Sequence, residues 1–203
     1  MTEVYFGLGA NVGDAITTLT AAVYALDDLD GVAVCDVSSV YVTDPWPPPD
    51  DPRHVPQDPF RNLVVLAETD IEAHQLLAET QLIEAAFGRD RVNEQRWGPR
   101  PLDIDVLLYG DIQIDTPTLT LPHPRISERA FVLVPLLEIA PGLTLPTGVR
   151  ITKAIAALAP ITDVEHEMRL DDVPTRRILR PLGPDGGHAR FTTDGRNDDS
   201  ART

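Results

Sequence analysis

Asp103 and Asp105 occupy alternate positions in the run Leu102-Asp103-Ile104-Asp105-Val106-Leu107-Leu108-Tyr109. Side chains alternate along a strand, so both carboxylates face one way, about 6.6–7 Å apart, while Leu102, Ile104, Val106 and Leu108 face a core. Two carboxylates this close repel unless water or a divalent cation neutralises them. Hard oxygen donors on a rigid backbone suit Mg²⁺, which keeps several waters and takes phosphate oxygens as further ligands. A solvated outer strand face gives the same pattern, and Asp-x-Asp alone does not choose between the two.

The neighbours add to the first reading. Arg89, Arg91, Arg96 and Arg100 crowd the approach to this strand in a chain with 17 Lys and Arg against 32 Asp and Glu, a net charge of −15. Arginine offers planar, bidentate donors to phosphate oxygens, so aspartates and arginines together suit a metal-bound polyphosphate. Ion pairing with Asp90 and Glu94 in a surface loop is the competing explanation. Gly98, Pro99 and Pro101 suggest a loop able to close.

A second pattern, Gly7-x-Gly9-x-x-x-Gly13, follows an expected strand and opens a helix, with Asp36 further on. It has one residue more than a dinucleotide fingerprint, and no alternating parallel β/α units follow. Gly7 and Gly9 read better as sites of close backbone approach, with Asn11, Gly13 and Asp14 forming the turn and helix cap.

The elements that must hold these residues follow from periodicity. Val4 to Leu8 reads as a strand, and Asp14 caps a helix with Ile16, Leu19, Val23, Leu26 and Leu29 on one stripe. Val32 to Thr43 reads as one long strand and Asn62 to Ala67 as another, separated by a proline-rich segment over 44–59. Asp70 is expected to cap a second helix through Leu76, Leu77, Ile83 and Phe87, ended by Gly88, before the aspartate strand. The order βαββαβ predicts an α+β, ferredoxin-like sandwich: an antiparallel sheet with its helices on one face and the other face open for a site. Beyond Asp111, a short strand over 119–121, a helix over 127–138 and another over 151–158 extend the core.

Length and charge narrow the function. The 203 residues suit about one domain, and the strong negative charge excludes polyanion binding by the whole surface, so neither nucleic acid nor an anionic membrane is an expected partner. Cys35 is the sole cysteine, which rules out an internal disulfide or a thiolate zinc site and marks it as a core residue. No basic leader precedes Val4 and no stretch of roughly 18 apolar residues occurs, so a cytoplasmic protein is expected. Residues 1–160 are read as the catalytic domain and 161–203 as a mostly flexible extension, since few large apolar residues follow Asp171.

Taken in order, several motifs resemble the 6-hydroxymethyl-7,8-dihydropterin pyrophosphokinase family. They are Tyr5 to Asp14, Ser38 to Thr43, Phe60-Arg61-Asn62, Gln81-x-x-Glu84, Arg96 to Leu107, Leu121 to Arg125, and Arg129-Ala130-Phe131. The Arg-Trp-Gly-Pro-Arg-x-x-Asp-x-Asp core is the most specific of them. The resemblance runs from about Val4 to Leu158.

That resemblance implies transfer of the β,γ-diphosphate of ATP to the pterin hydroxymethyl group, with release of AMP. It places two Mg²⁺ ions on Asp103 and Asp105, and stacks the pterin between Phe60 and Phe131 with Asn62 and the backbone around Thr43 at its edge. It puts Arg89 and Arg91 on a mobile loop over the triphosphate and Arg100, His123 and Arg129 on phosphates. Gln81, Glu84, Trp97 and Val106 fall at nucleotide-site positions. The partners expected are ATP and the pterin, and the chain is expected to act as a monomer. A Mg²⁺/ATP-dependent transferase with another acceptor, or a nucleotide-binding domain without turnover, is the alternative. The proline-rich segment is longer than the family pattern, and the register of Arg89 against Arg91 is open.

Overall fold

The computed structural model describes residues 1–48 and 50–176. Strand β1 (Thr2–Ala10) leads to helix α1 (Ala15–Asp27), whose start is fixed by Asp14: its Oδ1 accepts the Thr17 N–H at 3.1 Å. Strands β2 (Val32–Val37) and β3 (Val40–Thr43) precede β4 (Phe60–Thr69) and helix α2 (Ala73–Ala86). Strand β5 (Asp103–Tyr109) carries the aspartates, and β6 (Ile114–Asp115) pairs with β7 (Thr120–Leu121). A 3₁₀ turn (Ile126–Glu128), helices α3 (Ala130–Ile139) and α4 (Ile151–Ala157), and strand β8 (Val164–Met168) complete the described chain.

The main sheet runs β5-β1-β4-β3-β8 with β2 also on β4, and each pairing is antiparallel. This removes the dinucleotide-fold reading of the glycine pattern, which needs parallel strands. Helices α1 and α2 cover one face, burying Leu19, Val23, Leu26 and Leu76 against Phe6, Leu8, Val65 and Ile104. No helix among the described residues is long and apolar enough to cross a membrane.

Several expectations are corrected. The single strand over 32–43 is broken at Ser38-Ser39: the Ser38 hydroxyl accepts the Val64 N–H at 2.9 Å, while the Ser39 N–H donates to Glu138 Oε2 at 2.9 Å. Serine side chains that replace ladder partners divide the strand. Glu72, not Asp70, stands at the start of α2; the Asp70 N–H donates to the Gly31 carbonyl at 3.1 Å. The helix expected over 127–138 is interrupted at Arg129, whose backbone is extended at φ −113.

The second sheet face is not wholly open. α3 and α4 cover part of it, packing Val132, Leu133, Leu136, Ile151 and Ala154 on Tyr5, Cys35, Val64, Leu66 and Leu107. Leu108 belongs to this layer as well. A bulge in the β1–β5 register, where Tyr5 faces Leu108 and Phe6 faces Val106, puts both leucines on one side. Within the extension expected from residue 161, residues 164–168 pair with β3. Its Val-Glu-His-Glu-Met sequence lacks the alternation that marks a half-buried strand, because it lies at the edge of the sheet. The expected flexible stretch from residue 177 onward, and Pro49, lie outside the described residues.

Candidate active site

Beyond α3, the same face opens into a cavity of about 890 Å³. Its floor is set by register. Gly9 is the cross-strand partner of Asp103 on one side and of Asn62 on the other, and Gly7 is the partner of Asp105. The aspartates therefore stand beside residues with no side chain, so space is left next to both carboxylates. A Cβ on Gly9 would lie 2.8 Å from Asn62 Oδ1, which makes glycine the residue that fits.

Each aspartate has its own cations. Asp103 Oδ2 accepts from Arg100 Nη1 at 2.9 Å, and Oδ1 pairs with Arg89. Asp105 Oδ2 accepts from Arg129 Nη1 at 3.1 Å, with His123 Nε2 3.7 Å away. The break before α3 turns Arg129 towards β5, and the His123 N–H is tied to the Leu107 carbonyl at 2.8 Å. Burial pushes the Asp103 carboxyl up, but Arg100 and Arg89 outweigh it and hold it below the usual range. Asp105 goes the other way, raised by burial and then by the charge of Asp103. Burial lowers His123 in spite of Asp105. A repelling carboxylate pair facing an open cavity has the donor chemistry for a hard divalent cation.

A second tier lies behind the arginines. Glu84 is fully buried near the end of α2 and accepts from Arg89 Nη1 at 2.6 Å, Arg91 Nε at 3.0 Å and the Ile104 N–H at 2.8 Å. Glu94 Oε2 accepts from Arg89 Nε at 2.9 Å, and Glu94 also pairs with Arg100. The two readings of the arginine cluster thus coexist: Arg89 and Arg100 are ion-paired with Glu94, while Arg100 also reaches the cavity. Asp90 instead accepts from Asn93 Nδ2 at 2.7 Å.

Phe60 and Phe131 both line the cavity, the Phe131 ring 5.5 Å from the Arg129 guanidinium carbon, and so do Asn62 and Thr43, joined by an Asn62 Nδ2 to Thr43 Oγ1 hydrogen bond of 2.8 Å. Trp97, Arg100, Asp103, Asp105 and Arg129 line it too. Gly7, Gly9 and Arg96 are on its wall as well, but five others are not: Gln81 is exposed on α2, Glu84 is buried beneath Arg89, and Arg89 and Arg91 lie behind Asp103 with His123 beside Asp105. The Val106 side chain is in the core under α1 and α2. Its backbone is another matter, since the Ile104 N–H turns outward from β1 to Glu84, and Val106, two residues on, turns its N–H the same way.

Residues 5–141 match the 7,8-dihydro-6-hydroxymethylpterin-pyrophosphokinase family. The chain belongs to that family. A 2-amino-4-hydroxy-6-hydroxymethyldihydropteridine pyrophosphokinase of Methylorubrum extorquens is 46% identical over 160 residues, covering 79% of this chain and 96% of the relative. One from Pseudomonas aeruginosa is 39% identical over 164 residues, covering 81% and 96%. A crystal structure of wild-type Plasmodium falciparum HPPK-DHPS with SDX-DHP superposes with a TM-score of 0.57 at 14% identity, covering 77% of this chain. This chain spans 43% of that one, and the likeness is one of fold.

Within this pyrophosphokinase-family chain, two residues that bind the loops together escaped the sequence reading. Asn11, read as a turn residue, is nearly buried; its N–H donates to the Arg100 carbonyl at 3.1 Å and its Oδ1 accepts the Arg100 N–H at 2.7 Å. Its Nδ2 donates to Gln57 Oε1 at 2.9 Å, and Gln57 Nε2 donates to the Trp97 carbonyl at 2.6 Å. Gln57 therefore ties the proline-rich segment of the pyrophosphokinase fold to its arginine segment. An Asn after a strand and a Gln among prolines carry no periodic signal, and only the family motif around Asn11 points to one of them.

Proposed function

We infer that the chain is an ATP-dependent pyrophosphokinase of folate biosynthesis, moving the β,γ-diphosphate of ATP to the hydroxymethyl oxygen of 6-hydroxymethyl-7,8-dihydropterin. The acceptor oxygen bonds to the β-phosphorus, the bond from that phosphorus to the oxygen bridging the α-phosphate breaks, the hydroxyl proton is lost, and AMP leaves. The observation that carries this reading is that one cavity is lined by both the Asp103/Asp105 pair and the Phe60/Phe131 pair.

The planar acceptor stacks between Phe60 and Phe131, and Asn62 and Thr43 read its polar edge. Asp103 and Asp105 hold Mg²⁺, two ions in the full complex; when bound, these supply Lewis-acid stabilisation of the charge on the transferred diphosphate. Arg100 and Arg129 leave their aspartates for phosphate oxygens, with His123 beside them, and Arg89 and Arg91 close over the triphosphate as Glu84 releases one of them. Trp97, Gln81 and the outward backbone of Val106 serve the nucleotide. Rate acceleration then comes from positioning and electrostatics, and closure keeps water from the diphosphate. The strand order, with the fourth βαββαβ strand beside the first and the third beside the second, supports a ferredoxin-like assignment.

The test is incubation of the purified protein with Mg²⁺, ATP and the pterin, followed by identification of the nucleotide product. AMP formed only with the pterin present is the expected outcome. ADP would mean γ-phosphoryl transfer, and ATP binding without turnover would favour another acceptor or a binding role.

A further inference from the structure

Trp97 has a left-handed backbone, with φ +62. A bulky non-glycine residue keeps such a conformation only where its surroundings over-determine it. Three groups hold it. Arg96, its neighbour, lies over the indole at 4.4 Å, and two come from the proline-rich segment: Gln57 on its carbonyl and Arg53, whose guanidinium lies 5.0 Å from the ring centroid.

Arg53 is itself oriented. Asp51 Oδ1 accepts its backbone N–H and its Nε, each at 2.8 Å, and Oδ2 pairs with its Nη2. The turn beneath is braced by the His54 N–H donating to the Asp51 carbonyl at 2.9 Å and by His54 Nδ1 at 2.7 Å from the Pro47 carbonyl. A guanidinium forked by a carboxylate along one edge still presents its flat face, and that face is what an indole attracts. Asp51 occupies the donor edge of Arg53, so the group it offers towards Trp97 at the cavity border is its flat face.

We propose that Arg53 is a positioning residue that clamps the Trp97 indole at the cavity wall, and that this is what the long proline-rich segment contributes to nucleotide binding. The proposal rests on the pyrophosphokinase reading for its kinetic part alone. An exposed cation–π contact is worth about a two- to fivefold change in an equilibrium.

The experiment compares Arg53→Ala and Arg53→Lys, each also in a Trp46→Phe background where Trp97 is the sole tryptophan. Arg53→Ala is expected to shift the Trp97 emission of the free protein and to raise KM for ATP by about two- to fivefold, with kcat held within about twofold, and Arg53→Lys to recover part of both. Unchanged Trp97 emission on loss of Arg53, or an unchanged KM for ATP in an enzyme that still forms AMP, overturns the clamp. Absence of AMP from the unsubstituted protein would defeat the reaction itself, and the emission comparison would still decide the contact.

Discussion

Glu84 accepts the backbone N–H of Ile104 at 2.8 Å, so the buried end of α2 is fastened to the strand residue lying between the two aspartates. The same carboxylate holds Arg89 and Arg91. A group that the family resemblance would put at the nucleotide site is thus a keystone between helix, strand and arginine segment.

Glu84→Ala leaves the buried Arg89 short of a partner and the Ile104 N–H unpaired. Removing one member of a buried ion pair costs about 3–5 kcal/mol, and because Arg89 retains Glu94 and Asp103 the lower end is expected, about 3 kcal/mol. Urea unfolding of this variant measures it, and a change under 1 kcal/mol would remove the keystone role.

Asp105→Ala should lower AMP formation by about a hundredfold or more, the scale of losing one preorganised electrostatic group. Among the described residues its ion-pair partners are Arg129 and His123, and burial and the charge of Asp103 both work against its ionised form, so thermal unfolding should move little. Turnover near the parent level would take Asp105 out of the mechanism.

Phe131→Ala should raise KM for the pterin much more than KM for ATP, since an aromatic face lost from a stack is felt by the ring it covers. Equal rises for the two substrates would contradict the stacking assignment. Phe60→Ala provides the matching measurement from the other side.

Gly9→Ala places a Cβ 2.8 Å from Asn62 Oδ1 and must turn that amide aside. Weaker pterin binding with near-parental stability is expected, read by pterin titration beside a thermal melt. A full-strength pterin site in this variant would show that the amide is not read by the ligand.

Tyr41 makes a pH prediction. Burial first, and then the nearby Glu138, which accepts its hydroxyl proton at 3.0 Å, push its phenol up to about 12 from 10.0. A phenol raised in the folded state favours folding while protonated, so its contribution is intact below about pH 10 and disappears as pH climbs towards 12. Ultraviolet titration of the protein against Tyr41→Phe should show one tyrosine ionising late, and Glu138→Gln should bring it earlier.

Much of this was readable before the fold was known, because both strand and helix signals are local. The aspartate pair, the cap at Asp14 and the apolar stripe of α1 all follow from the spacing of a few residues. The features that were not legible depend on partners far along the chain. Ser38 becomes a strand break only because Val64 is there to donate to it, Arg129 leaves its helix to meet Asp105, and Glu84 becomes buried only when β5 lies beside α2. Strand β8 is invisible to periodicity because an edge strand needs backbone partners more than an apolar face.

The bulge at Leu107 divides β5 into two territories. Before it, the face that looks away from α1 and α2 carries Asp103 and Asp105 and is wetted by the cavity; after it, the same face carries Leu107 and Leu108 and is glued to α3 and α4. One extra residue thus lets a single seven-residue strand hold the reacting charges and anchor the layer that walls them in. Deleting it would restore strict alternation: Leu108 would stand where Leu107 stood, and the wall would keep one anchoring leucine in place of two while both aspartates stayed in register with their glycines.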